Sequence, residues 1–146
     1  MFLDSGHPTA VFHPCDGARV SGVSVTEQST TSGSAASPTL VWSIADASSR
    51  AERPITQIRL LETPAGWGLQ TTKPGGLLTA FGVDHTYSVW ADVTSSAAGD
   101  DSSIEFTLGD LRSLSDGQVW AAPKPFAQPQ AMAAREEFRR RAAASC

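Results

Sequence analysis

The run Asp84-His-Thr-Tyr-Ser-Val-Trp-Ala-Asp-Val93 constrains this chain more than any other. Tyr87, Val89, Ala91 and Val93 alternate with Thr86, Ser88, Trp90 and Asp92, the period of two shown by a half-buried β-strand. One residue breaks the pattern: Trp90 falls on the face opposite the core positions. A tryptophan there is either covered by another element, for which Phe126 and Phe138 of the tail are the candidates, or left as part of a partner surface.

Similar short runs recur. In Val20–Val25, Val20 lies on the opposite phase to Val23 and Val25, and a bulge at Gly22 would reconcile them. Thr39–Ala45 places Leu40, Trp42 and Ile44 on one face, and Ile55–Glu62 turns Ile58 and Leu60 inward and Gln57 and Arg59 outward. Ile104, Phe106 and Leu108 alternate with Glu105 and Thr107. Val11–His13, Leu69–Thr71 and Gln118–Trp120 read as shorter strands, and Asp110 as the cap of a helical turn to Leu114. Thr26–Pro38 and Ser95–Ser103 are polar and read as loops. Many short strands between turn signals, without repeats or β-α alternation, predict an all-β antiparallel sandwich.

The organisation expected is a loose lead-in over 1–10, a β-sandwich over 11–121, a Pro-rich linker over 122–129 and a docked helix over 130–146. The last segment holds strong helix formers without breakers. Its apolar stripe is thin, with Ala134, Phe138, Ala142 and Cys146 at i, i+4 spacing. A chain of 146 residues, 40% hydrophobic, suits one globular domain with a sizeable core. The net charge of −4 offers no general attraction to nucleic acid or to an anionic membrane. Charge is divided unevenly, with six basic and thirteen acidic residues before position 121 and five basic against two acidic after it. The basic tail reads as arginines on a packed helix, or as an arm toward an anionic partner. Absence of Asn and scarcity of Lys point to a GC-rich bacterial or phage source.

Cys15 and Cys146 are the two cysteines, one near each end. A bridge between them would clasp the termini and, in the chain-entropy model, contribute roughly 4–5 kcal/mol. It would also imply an oxidising compartment. No run of about 18 apolar residues is present to span a membrane, and the first residues do not form a signal peptide. The expectation is an extracytoplasmic protein whose leader, with or without a lipid anchor, has been removed.

Leu77–Val93 resembles the fibronectin type III and immunoglobulin-like sandwiches, in which a Tyr near the start of the penultimate strand returns its hydroxyl to upstream backbone. Thr86-Tyr87-Ser88-Val89 fits that position, Leu40-Val41-Trp42 resembles the strand whose Trp packs in the core, and Ile104–Leu108 fits the closing strand. The resemblance spans about residues 20–108. It implies an immunoglobulin-like sandwich carrying an appended C-terminal α-helix, and by itself no function. The antibody-type sheet-bridging cysteine pair is missing, since Cys15 and Cys146 lie outside that region. The layout as a whole also resembles small exported actinobacterial proteins.

Reactive groupings are weak. His7, His13 and Cys15 lack an evident fourth ligand for structural zinc. Asp84-His85 lacks a nucleophile elbow, and Asp100-Asp101 lacks the alternating oxygen ligands of a calcium loop. Arg139-Arg-Arg141 spreads over different helix faces. No catalytic residue, metal or cofactor is assigned. The candidate binding residues are Trp67 in a Gly-flanked turn, which either meets a partner or folds over the sandwich edge, together with Trp90 and Trp120. The expected function is non-catalytic binding of a protein partner. The alternatives are a carbohydrate or small-ligand module using exposed tryptophans, and a phage or virion structural subunit; nucleic acid is not expected.

Overall fold

The computed structural model describes residues 1–15, 18–28, 38–47, 56–70, 77–94, 103–122 and 130–144. Along the chain these form β1 (Phe2–Asp4), β2 (His7–Val11), β3 (Arg19–Gln28), β4 (Thr39–Asp46), β5 (Gln57–Arg59) and β6 (Trp67–Leu69). There follow β7 (Thr86–Thr94), β8 (Ser103–Phe106), α1 (Leu108–Arg112), β9 (Gln118–Ala121), β10 (Ala131–Ala134) and α2 (Arg135–Ala144). Among the described residues the strands make three antiparallel sheets, ordered β6-β4-β3-β7-β8, β1-β2-β5 and β10-β9. The protein is an all-β, sandwich-like fold with a short C-terminal helix.

β3 is the central strand of the largest sheet, and its valines show how sequence becomes packing. Its register against β7 shifts between Val20 and Gly22, so Val20 and Val23 both point inward, at 5% and 0% exposure. Burying a valine contributes about 1.5–3 kcal/mol, whereas one forfeited ladder hydrogen bond costs about 1 kcal/mol net. The bulge therefore wins. A second shift, between Val25 and Thr26, occurs on the β4 side and sets Leu40 opposite Thr26. Leu40 thus leaves the core face expected of it. Val41 packs against the core beside the buried Trp42 and Ile44.

The three-stranded sheet closes the core from the other side. Met1, Ala10, Ile58 and Leu60 pack in one cluster with Val23, Val25, Trp42, Ile44, Tyr87, Val89 and Phe106. Residues 1–10 are therefore a core hairpin, not a loose lead-in. Ser5 and Gly6 take φ of 51° and 84°, the positive pair that a tight two-residue hairpin turn requires. Phe2, Thr9 and Ala10 gain burial that an unpaired segment would lack. The strand expected over 11–13 ends at Val11, although the Phe12 amide still donates to Thr56 O at 2.9 Å.

The tail also departs from expectation. The helix begins at Arg135, because Ala131–Ala134 pairs with β9, Met132 lying across from Trp120. Alanine's helix preference is worth at most about 0.7 kcal/mol per residue over ordinary residues, which completing a ladder against β9 can offset. α2 rests on a second cluster of Phe2, Val119 and Ala121 through Phe138, and the Arg135 guanidinium sits 3.9 Å over the Phe2 ring. The expected linker residues 123–129 lie outside the described residues. α1 is capped by Thr107, not by Asp110. Thr107 Oγ1 accepts from the Asp110 amide at 3.1 Å, and the Asp110 carboxylate accepts from the Thr107 amide at 2.7 Å, a capping box.

Candidate functional site

β7 is locked at its start. The Gly82 amide, five residues upstream, donates to the Tyr87 hydroxyl at 2.8 Å. The Tyr87 ring meets Phe81 edge-on at 4.8 Å between centroids and lies 5.8 Å from Phe106. Burial raises the hydroxyl's pKa above the ordinary tyrosine value, so it stays protonated. With Tyr87 and Val89 held inward, strand alternation sends Trp90 outward.

Trp90 is 46% exposed, and it is the one exposed Trp, Tyr or Phe ring among the described residues. Of the two residues expected to cover it, Phe138 packs instead on Phe2, Val119 and Ala121, and Phe126 lies outside the described residues. The register puts Ser24 across from Trp90 on β3 and Ser103 across from it on β8. Ser24 and Ser43 share a hydroxyl hydrogen bond of 3.0 Å. Beside the indole lies an open groove of about 440 Å³, lined by Ser24, Thr26, Pro38, Leu40, Trp90 and Asp92.

Two features of this groove stand out. Thr26 is 5% exposed, and its Oγ1 finds no hydrogen-bond partner among the described residues. Buried hydroxyls are normally satisfied, so an orphan one at a groove marks where another molecule can supply the bond. The Asp92 carboxylate lies over Gly22, where a β-carbon would collide with it. Gly22 thus clears space for an acceptor at the groove's end. Sequence alternation could place Trp90 and Asp92 on this face. Thr26 and Leu40 went unrecognised as site residues because a register shift brings Leu40 beside Thr26.

The other two tryptophan candidates are structural. Trp67 is 9% exposed and belongs to the core, its amide bonded to Pro64 O at 3.0 Å. Gly66, at φ 82°, turns the ring in over the sheet's edge, and so Trp67 is not a partner-facing loop residue. Trp120 is half-buried against the same core and donates Nε1–H to Glu105 O at 2.8 Å. It occupies an acceptor of β8, a sheet-edge strand whose free groups would otherwise invite foreign pairing.

The remaining polar groups are engaged locally. His85 pairs with Glu27, its ring 6.1 Å from that of Tyr87, and His7 approaches Glu62 at 3.8 Å. Glu137 pairs with Arg140 and, at 3.5 Å, with Arg141. Among the described residues no three His, Cys, Asp or Glu side chains converge as metal ligands. Asp100 and Asp101 lie outside the described residues. Cys15 is not a free thiol, and Cys146 lies outside the described residues. No described helix is long and apolar enough to cross a membrane.

No protein-family model, curated protein or solved structure matches this chain.

Proposed function

We propose that this protein is a non-catalytic binding module working outside the cytoplasm, which meets its partner with the outer face of the five-stranded sheet. The observation that carries the reading is Trp90, which stays 46% exposed on β7, an interior strand paired on both sides, while the other three tryptophans are enclosed or pinned. Exposed aromatics on rigid scaffolds give contact area at little entropic cost, which is why they dominate recognition surfaces. The Tyr87–Gly82 bond supports an immunoglobulin-like framework behind that face.

The extracytoplasmic placement is supported by Cys15, which is not free in a chain that has one other cysteine, Cys146. Alkylation followed by intact-mass measurement tests it: a bridged protein takes up two alkyl groups only after reduction. Uptake of both in the native, unreduced protein refutes the clasp. The binding role is tested by comparing wild type and Trp90→Ala for association with solubilised bacterial envelope. Loss of association with unchanged thermal unfolding is expected. Equal association by the two proteins refutes the proposed face.

A further inference from the structure

The geometry points to a specific ligand class for the groove beside Trp90: a neutral sugar ring of a surface glycan. This rests on the reading of the domain as a binding module acting through the outer sheet face, and it adds the chemistry of what that face holds.

A pyranose has a flat C–H face and a rim of hydroxyls, each both donor and acceptor. Its complement is a flat apolar platform bordered by polar groups that can accept and donate, the usual make-up of a small-ligand site. Trp90 supplies the platform, and Leu40 and Pro38 line the same groove. Thr26, a groove-lining residue only 5% exposed, carries an unpartnered Oγ1, a hydroxyl that can donate to or accept from a sugar hydroxyl. The Asp92 carboxylate accepts from up to two more. Asp92 lies two residues beyond Trp90 on the same strand face, roughly 6.6 Å away along β7 at about 3.3 Å per residue. That spacing is close to the span of one hexose.

The same groups argue against other occupants. Among the described residues no basic side chain lines the groove and one carboxylate does, which disfavours a phosphate-bearing strand or an acidic polysaccharide there. A stable protein interface buries about 800 Å² per partner around an apolar centre. Here one exposed ring is flanked by Ser24 and Ser103.

The test titrates the full chain with maltohexaose, cellohexaose and N-acetylchitohexaose, following tryptophan emission, and repeats envelope association after periodate or protease treatment of the envelope. At least one hexaose should bind saturably. Trp90→Ala should weaken it about thirtyfold or more, the effect of losing a binding hot spot. Thr26→Val and Asp92→Asn should each weaken it about three- to tenfold, one hydrogen bond's worth. Trp90→Phe, which keeps a ring, should retain part of the affinity. Envelope association should survive protease and be lost on periodate oxidation. Hexaose binding that is absent or independent of Trp90 overturns the glycan assignment. So does envelope association that protease removes and periodate spares, which identifies a protein partner and leaves the binding-module reading standing. Envelope association retained by Trp90→Ala overturns both.

Discussion

Replacing Tyr87 with Phe removes one oxygen from the protein and nothing else, so its consequences can be worked out in detail. That oxygen is the acceptor for the half-buried Gly82 amide at 2.8 Å. A typical intramolecular hydrogen bond contributes about 0.5–1.5 kcal/mol net, and an amide left unpaired out of water adds to the loss. The ring keeps its edge contact with Phe81 at 4.8 Å and its place beside Phe106, so no cavity term enters. We expect Tyr87→Phe to cost about 1–2 kcal/mol, equivalent to a fall in Tm of roughly 3–6 °C for a chain of this size. Tyr87→Ala should cost about 3–5 kcal/mol, since it also empties a core position that is 1% exposed. Urea unfolding monitored by circular dichroism checks both, with the m-value unchanged for Tyr87→Phe. Hydrogen exchange at the Gly82 amide provides a local readout and should speed up in the variant. If Tyr87→Phe unfolds at the wild-type midpoint with Gly82 still protected, the hydroxyl is idle. The start of β7 would then be held by ring packing alone.

Three further outcomes follow from the structure. The Met1 amine is buried and donates to Trp120 O at 2.6 Å, and burial, with the nearby Arg135 charge, lowers its pKa from 8.0 to about 5. The folded state thus binds fewer protons than the unfolded one between these values, so stability should rise from pH 5 to pH 8, by on the order of 4 kcal/mol from this group. Acetylating the amine should flatten that part of the profile in denaturant titrations. Trp120→Phe should cost about 1 kcal/mol from the lost Nε1–Glu105 bond, and it should raise aggregation measured by light scattering, since the β8 edge loses its cover. Thr107→Ala should cost about 1 kcal/mol in urea unfolding, and Thr107→Ser should recover most of it, because the α1 cap depends on the hydroxyl.

What the sequence determined by itself is the strand architecture and the facing of its best strand. The alternation in Thr86–Val93 places Tyr87 in and Trp90 out, and the phase conflict at Val20 and Val23 announces the bulge found at Gly22. Both are readable because burial acts on side-chain period, which local sequence carries directly. Three matters were decided only by tertiary structure. Residues 1–10 became core because their hairpin pairs with β5, far away in sequence, and Ala131–Ala134 became strand because β9 offered an edge. Trp67 was enclosed, and Trp120 half-buried and pinned through its Nε1–H, by contacts that no local pattern encodes. The groove itself depends on the shift between Val25 and Thr26 against β4, which sets Leu40 beside Thr26, and on the separate β3–β7 register, which sets Ser24 beside Trp90. Register is a relation between strands, and one residue of slip changes which side chains share a face. Sequence alone could thus expose the tryptophan, while only the fold could supply the neighbours that make it a site.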